Sequence, residues 1–107
     1  MRYLLFGLAL IATFPPTVQA EDSVRIIGSG ANATCGRWIA LRQSGMSNYL
    51  EDWSSAYISG AAVFTGRDAL RGLDAYAIWQ LMDNYCSSHP LVSVPDALGT
   101  FYHLRTD

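Results

Sequence analysis

Apolar residues recur at helical spacing in four separate stretches of the chain, and the first of these begins after Thr34. Spacings of three and four residues place one group of side chains on a single helix face: Cys35, Trp38, Ile39 and Arg42. Thr34 is a residue type that commonly caps helix N-termini, and Gly45 is typical of the position just after a helix. This pattern predicts a short first helix over 35–43.

The second stretch begins near Asn48, with Glu51 three positions later in an arrangement that resembles a capping box. Its apolar and small side chains again follow a helical period: Leu50, Trp53, Tyr57, Gly60, Ala61 and Phe64. The small residues Gly60 and Ala61 leave room for another helix to approach closely. We therefore predict a second helix that ends where a loop over 65–68 begins.

The last two stretches each begin with a capping residue. Asp74 is the predicted N-cap of a third helix, which Pro90 ends. The apolar face of this helix consists of Ala75, Ile78, Trp79, Met82, Tyr85 and Cys86. Ser93 is the predicted cap of a fourth helix, with Pro95 and Asp96 in its first turn. The apolar side of the fourth helix consists of Ala97, Leu98, Phe101 and Leu104.

These four patterns decide the predicted fold class. No stretch alternates apolar and polar residues for more than about four positions, so the sequence predicts no strands. Neither an internal repeat nor a low-complexity segment is visible. We predict an all-α fold, a small bundle of about four short helices that form one domain over residues 34–107.

Residues 1–20 have the pattern of a secretory signal peptide. Residues 4–14 are an apolar run, and Val18 and Ala20 are small residues at the positions that a signal peptidase requires. The run is shorter than a membrane span, and an N-terminal anchor is the alternative. No later stretch is long and apolar enough to span a bilayer. We expect cleavage after Ala20, a flexible N-terminal arm over 21–33, and a periplasmic or secreted location.

The two cysteines, Cys35 and Cys86, both lie on predicted apolar helix faces. In a small exported domain, a pair of cysteines most often forms a disulfide. A metal site is one alternative, but no typical ligand spacing joins the cysteines to His89 and His103. A reactive thiol is the other alternative, and it requires a polarising neighbourhood, for which only His89 is close in sequence. We predict a Cys35–Cys86 disulfide that staples the first helix to the third, and no metal site.

Charge and side-chain chemistry argue against several classes of function. The chain has seven arginines, no lysine and nine carboxylates, and it has no basic stripe, so nucleic acid is not a predicted partner. Glu51 and Asp52 are adjacent on a helix and point in different directions, and Asp83 lies off the apolar face of its helix. We predict that these three carboxylates are solvated. Because helix capping accounts for the serines, the sequence predicts neither an enzyme nor a cofactor.

Aromatic residues are numerous for the length of the chain. Trp38, Trp53 and Trp79 fall at helical spacing, which favours core positions over a ligand groove. Tyr76 lies off the apolar face of the third helix, and aromatic side chains are enriched at protein interfaces. We therefore predict that Tyr76, together with Trp53 and Tyr57, contacts a protein partner.

Several of these residues form a combination that resembles small exported helical proteins of bacteria. The combination consists of Thr34, Cys35 and Trp38, then Trp53, Tyr57 and Gly60, then Tyr85, Cys86, His89 and Pro90, and finally Asp96 and Ala97. Over residues 34–104 the chain resembles the HdeA/HdeB-like periplasmic proteins. It is also similar to the immunity proteins of type VI secretion that are called the Rap1a/Tai type.

The first resemblance implies an all-helical protein with one disulfide that acts as an acid-stress chaperone and is often dimeric at neutral pH. Such proteins loosen in acid and expose apolar surface that binds unfolded client proteins. The predicted function is accordingly the non-enzymatic binding of unfolded clients, with a homodimer as one assembly state. The second resemblance implies the alternative, a protein-interaction module with one specific partner, such as an immunity protein.

Overall fold

The computed structural model describes residues 24–106, which form four α-helices. Their bounds are Cys35–Ser44 (α1), Asn48–Thr65 (α2), Ala75–Ser88 (α3) and Val94–Thr106 (α4). Within these residues the β-type pairing is one isolated bridge between Thr34 and Ser93, so the all-α prediction is confirmed. The predicted signal peptide and the first residues of the predicted arm lie outside the described part of the chain. No helix in residues 24–106 is long and apolar enough to cross a bilayer.

Three of the four predicted helix starts are capped as the sequence indicates. The side chains of Thr34, Asp74 and Ser93 accept hydrogen bonds from the backbone N–H three residues later, at 3.2, 2.9 and 3.1 Å respectively. Each bond satisfies one N–H group that has no acceptor inside its helix. Local sequence therefore determines where α1, α3 and α4 begin.

The predicted start of α2 is wrong by one residue. Ser47 is the N-cap and Asn48 is already helical, and the Ser47 side chain makes no capping hydrogen bond. Its hydroxyl instead donates to the carboxylate of Glu51. Both side chains are buried, so the serine satisfies an inward-pointing carboxylate rather than a free backbone N–H.

The disulfide Cys35–Cys86 joins the start of α1 to the end of α3, which confirms the predicted pairing. The two Cα atoms are 4.7 Å apart, and both cysteines are fully buried. A structural disulfide persists in an oxidising environment. This cross-link therefore suggests a location outside the cytoplasm.

The hydrophobic core surrounds this disulfide and draws on all four helices. Its largest fully buried side chains are those of Trp38, Leu50, Ile58, Met82 and Leu98. Trp53 and Trp79 are half-buried and pack against the edge of the core. Trp38 is therefore a core residue as predicted, whereas Trp53 and Trp79 are only partly buried.

The segment before α1 pairs with the connection between α3 and α4. The Cys35 N–H donates to the Val92 carbonyl at 2.7 Å, and the Val94 N–H donates to the Ala33 carbonyl at 2.8 Å. These bonds flank the bridge between Thr34 and Ser93. As a result, the chain is fixed against the bundle from Ala33 onward.

Two apolar residues that the helical period placed on inner faces are exposed. Phe64 is 91 % exposed and Leu104 is 79 % exposed. Thr65, not Phe64, lies in line with the buried Ile58 on α2, and its hydroxyl meets that of Tyr102. Leu104 follows the buried Tyr102 by two positions, which places it on another side of α4.

Removal of the disulfide should destabilise the fold, because the cross-link restricts the unfolded chain. The double variant Cys35→Ala with Cys86→Ala should lower the free energy of unfolding by about 2–5 kcal/mol. Urea denaturation at neutral pH measures the change, with Ser87→Ala, on the exposed surface of α3, as the control. Equal stabilities of the double variant and the wild type would contradict this prediction.

Candidate functional site

Arg42 lies at the centre of a polar cluster that joins three helices. Its Nη1 atom is 3.0 Å from Oε2 of Glu51, and its Nη2 atom is 2.6 Å from Oδ2 of Asp83. The Nε–H group donates a further hydrogen bond of 2.9 Å to Oδ1 of Asp83. Because Arg42 belongs to α1, Glu51 to α2 and Asp83 to α3, one guanidinium connects all three helices.

Two further side chains complete the hydrogen bonding of the carboxylates. The indole Nε1–H of Trp38 donates to Oδ1 of Asp83 at 2.7 Å, and the hydroxyl of Ser47 donates to Glu51. The side chains of Arg42 and Asp83 retain 27 % and 32 % of their exposure, whereas that of Glu51 retains 12 %. The cluster therefore lies at the edge of the core, between apolar packing and water.

The ionic state of the cluster depends on this position. Burial raises the pKa of Asp83, but hydrogen bonds from Arg42 and Trp38 and the charge of Arg42 outweigh burial and lower the pKa below its usual value. The hydrogen bond to Asp83 raises the pKa of Arg42, burial opposes this, and Glu51 adds to the rise. The guanidinium thus stays charged, and the carboxylates are the groups that acid can neutralise.

The cluster corrects the prediction that Glu51 and Asp83 are solvated. Asp52 alone of the three carboxylates is exposed as predicted. The one local signal was Arg42, a charged residue on the apolar side of the first helix, because a charge in that position needs a partner. Its partner Asp83 is 41 positions away, so no local pattern identifies it.

Trp53 and Tyr57 form a stacked aromatic pair on α2, with ring centroids 4.9 Å apart. The N-terminal segment crosses this pair, and the Trp53 Nε1–H donates to the carbonyl of Ile27 at 3.1 Å. The backbone at Gly28 and Gly30 lies so close to the indole that a Cβ atom at either position would overlap it. The predicted arm therefore contacts the predicted protein-binding residues, while its flexibility stays a prediction.

Tyr76 is 71 % exposed, as predicted, but it belongs to a different surface. Its ring packs edge-on against Trp79, with centroids 5.1 Å apart, and the Trp79 indole donates to Ser55 at 3.3 Å. Ser55 follows Trp53 by two positions, which is roughly 200° around a helix. The structure therefore separates Tyr76 from the Trp53–Tyr57 pair.

A groove between α3 and α4 was not predicted from the sequence. It has a volume of about 310 Å³, and its apolar wall includes Leu81, Tyr85, Phe101 and Leu104. The groove arises because Leu104 and Leu81 extend past the core rather than into it. At the nearby end of α3, His89 is the C-cap residue, and its ring stacks on Tyr85.

Neutralisation of Asp83 should remove the pH dependence that this carboxylate adds to stability. Because its folded pKa is depressed, its contribution is present above about pH 4 and is lost as pH falls through the folded pKa. Asp83→Asn should therefore be about 1–3 kcal/mol less stable at pH 7 and should lose less stability between pH 7 and pH 3. Urea denaturation across that range measures both effects.

The matched control for this prediction is Asp52→Asn, which removes an exposed carboxylate from α2. Its stability and its pH profile should stay close to those of the wild type. If Asp83→Asn and Asp52→Asn gave the same profile, the cluster would have no special part in the response to acid.

Comparison with known proteins identifies no relative for this chain. A scan against protein-family models finds no match, and searches of curated proteins and of solved structures find no similar chain. The resemblance over residues 34–104 therefore stays a prediction, and the function is argued from the contacts described above.

Proposed function

We propose that this protein binds unfolded proteins in an oxidising compartment and that acid opens it for binding. The observation that supports this proposal is the cluster in which Arg42 connects Glu51 of α2 and Asp83 of α3. Both acceptors are carboxylates, so one charged side chain holds three helices together through groups that acid neutralises. No catalytic chemistry is part of the proposal.

Acid acts first on the ion pairs. As pH falls below about 4, protonation of the carboxylates removes their attraction to Arg42, while the guanidinium keeps its charge. The whole chain changes from a net charge of −2 to a positive charge, because its nine carboxylates become neutral and its seven arginines do not. Repulsion among the arginines then favours an expanded state.

The disulfide limits how far the expansion can go. Cys35 and Cys86 keep α1 attached to α3 at any pH, whereas the ion pair between Arg42 and Glu51 is lost. α2 packs mainly against α4 and little against α1, so loss of this ion pair removes its main link to α1, and expansion then has to separate it from α4. The inner face of α2 carries Leu50 and Ile58, both fully buried in the native state, and these would become available to clients.

A second candidate function is the binding of one specific native partner, as in an immunity protein of the Rap1a/Tai type. The observation that favours it is the apolar groove between α3 and α4, which is open while the ion pairs are intact. The exposed Tyr76 supplies a separate aromatic contact. Such a partner should bind at neutral pH, with little dependence on salt, because both surfaces are mainly apolar.

The test of the first proposal compares dye binding and client protection at pH 7 and near pH 2.5. The wild type should bind an apolar fluorescent dye and suppress the aggregation of an acid-denatured client only at the low pH. The double variant Glu51→Gln with Asp83→Asn imitates the protonated cluster, so its dye binding and client protection should begin at a higher pH.

Asp52→Asn is the control, and its transition should coincide with that of the wild type. A protein that keeps its native circular dichroism near pH 2.5, binds no dye and protects no client would overturn the chaperone proposal. Native-partner binding at neutral pH would then be the better explanation of the exposed apolar surfaces.

A further inference from the structure

The N-terminal segment of residues 24–30 covers the Trp53–Tyr57 pair, and most of its own apolar side chains stay exposed. Val24 is 85 % exposed and Ile27 is 78 % exposed, whereas Ile26 keeps only 36 % of its exposure. The backbone contacts the indole directly, through the Ile27 carbonyl and the two glycines that lie on the ring. We call residues 24–30 the strap.

The strap is attached firmly at one end. Ala33 is held by its bond to Val94, and Thr34 is held by its bridge to Ser93. Where the strap ends, the Ala31 N–H donates a hydrogen bond of 3.1 Å to the Gly28 carbonyl and closes a tight turn. Movement of the strap away from α2 would therefore leave the disulfide, the helix caps and the core in place.

The surface under the strap has features that suit a peptide. The stacked rings offer a flat apolar face, and the indole Nε1–H offers one donor for a backbone carbonyl. A space of about 470 Å³ lies between the strap and α2, lined by Trp53, Ala56 and Tyr57 on the helix side. The strap therefore fills this surface only in part.

The strap also indicates the chemistry of a matching ligand. A carbonyl is needed beside the indole nitrogen, and residues without a Cβ are needed where the backbone crosses the ring. The residues just before that crossing are apolar, Ile26 and Ile27. A short segment with apolar residues followed by a turn that contains glycines meets these requirements.

We propose that the Trp53–Tyr57 face is a binding site for an apolar segment of another polypeptide that turns at glycines, and that the strap occupies this site in cis. A segment on a short tether has a high effective concentration, so a partner segment must compete with it. The site is complete at neutral pH while the Arg42 cluster is intact. This inference therefore goes beyond the acid-triggered function and does not depend on it.

The test opens the strap by substitution and adds the ligand as a peptide. Gly28→Ala places a Cβ atom against the indole and also strains a backbone φ of +111°, so the strap should leave α2. The matched control is Gly60→Ala on α2, where an added Cβ meets nothing within 4 Å. Both full-length variants are compared with the wild type at pH 7.

The probe is a synthetic peptide with the sequence of residues 22–31, capped at both ends. Gly28→Ala should bind it at least about tenfold more tightly than the wild type, because the competing strap no longer fills the site. Gly60→Ala should bind it as the wild type does. Calorimetric titration measures the affinities, and acrylamide quenching should show increased access to tryptophan in Gly28→Ala alone.

Two substitutions test whether the indole and the glycines carry the recognition. Trp53→Ala introduced into Gly28→Ala should abolish peptide binding. A peptide in which both glycines are replaced by valine should not bind Gly28→Ala, because the added side chains would overlap the ring. Equal binding of the two peptides, or undiminished binding after loss of Trp53, would overturn the proposed site.

Tryptophan quenching tests whether the strap is displaced, and peptide affinity tests whether the site binds a segment. If quenching in Gly28→Ala matched that in Gly60→Ala, the strap would not be displaced and occupation in cis would be overturned. If tryptophan became accessible but the peptide bound no better, the peptide site would be overturned. All of these assays run at pH 7, so their failure leaves the acid-triggered proposal untouched.

A measurement on the wild type covers the case in which Gly28→Ala does not fold. The indole N–H resonance of Trp53, assigned by comparison with Trp53→Phe, should lose intensity when the peptide, with a paramagnetic nitroxide as its N-terminal cap, is added at millimolar concentration. The peptide then supplies the acceptor in place of the strap's Ile27 carbonyl, which brings the nitroxide close to the indole. An unchanged resonance at saturating peptide would contradict the proposal, as would a wild type whose straps are exchanged between two copies in a dimer.

Discussion

The disulfide between Cys35 and Cys86 sets the register of α1 against α3, and the polar cluster depends on that register. Trp38 lies three residues after one cysteine and Asp83 lies three residues before the other, so the two meet one turn along the helix pair. Arg42 follows Trp38 by one further turn and reaches back to the same carboxylate. A shift of one residue between the helices would separate these groups and leave a charge at the edge of the core without a partner.

Because the cluster is partly buried, its ion pairs stabilise the fold when both partners are charged and destabilise it when one partner loses its charge. A partly buried pair with satisfied hydrogen bonds stabilises the native bundle at neutral pH, whereas loss of one partner leaves the other uncompensated. Acid can remove the charge of a carboxylate such as Asp83 but leaves Arg42 charged. In a small domain with a limited core, the stability that is lost with these ion pairs is a large fraction of the total free energy of unfolding. The disulfide does not titrate in this range, so the chain has one cross-link that acid weakens and one that it does not.

The apolar surfaces of the protein fall into separate regions that differ in how far they are covered in the native state. The inner face of α2 is buried until the bundle loosens, while the groove beside Leu104 is open in the native state. The Trp53–Tyr57 face is intermediate, because the backbone of the protein's own N-terminal segment covers it. Under the proposals made above, the protein would offer one surface at neutral pH, a second after displacement of the strap, and a third after expansion in acid.

Local patterns in the sequence were enough to predict the helices, most of their caps and the disulfide. These features depend on interactions within three or four residues, such as the bond between Asp74 and the N–H group three positions later, or on the presence of only two cysteines. Only the packing of the helices against one another turns Asp83 and Glu51 towards Arg42 and sets Tyr76 apart from Trp53. Each of these outcomes depends on which pairs of helices pack together. A helical period gives the direction of a side chain around the axis of its own helix, but it does not identify the helix that lies on that side. The partner of Arg42 is 41 residues away, and only the packing of α1 against α3 brings the two side chains together.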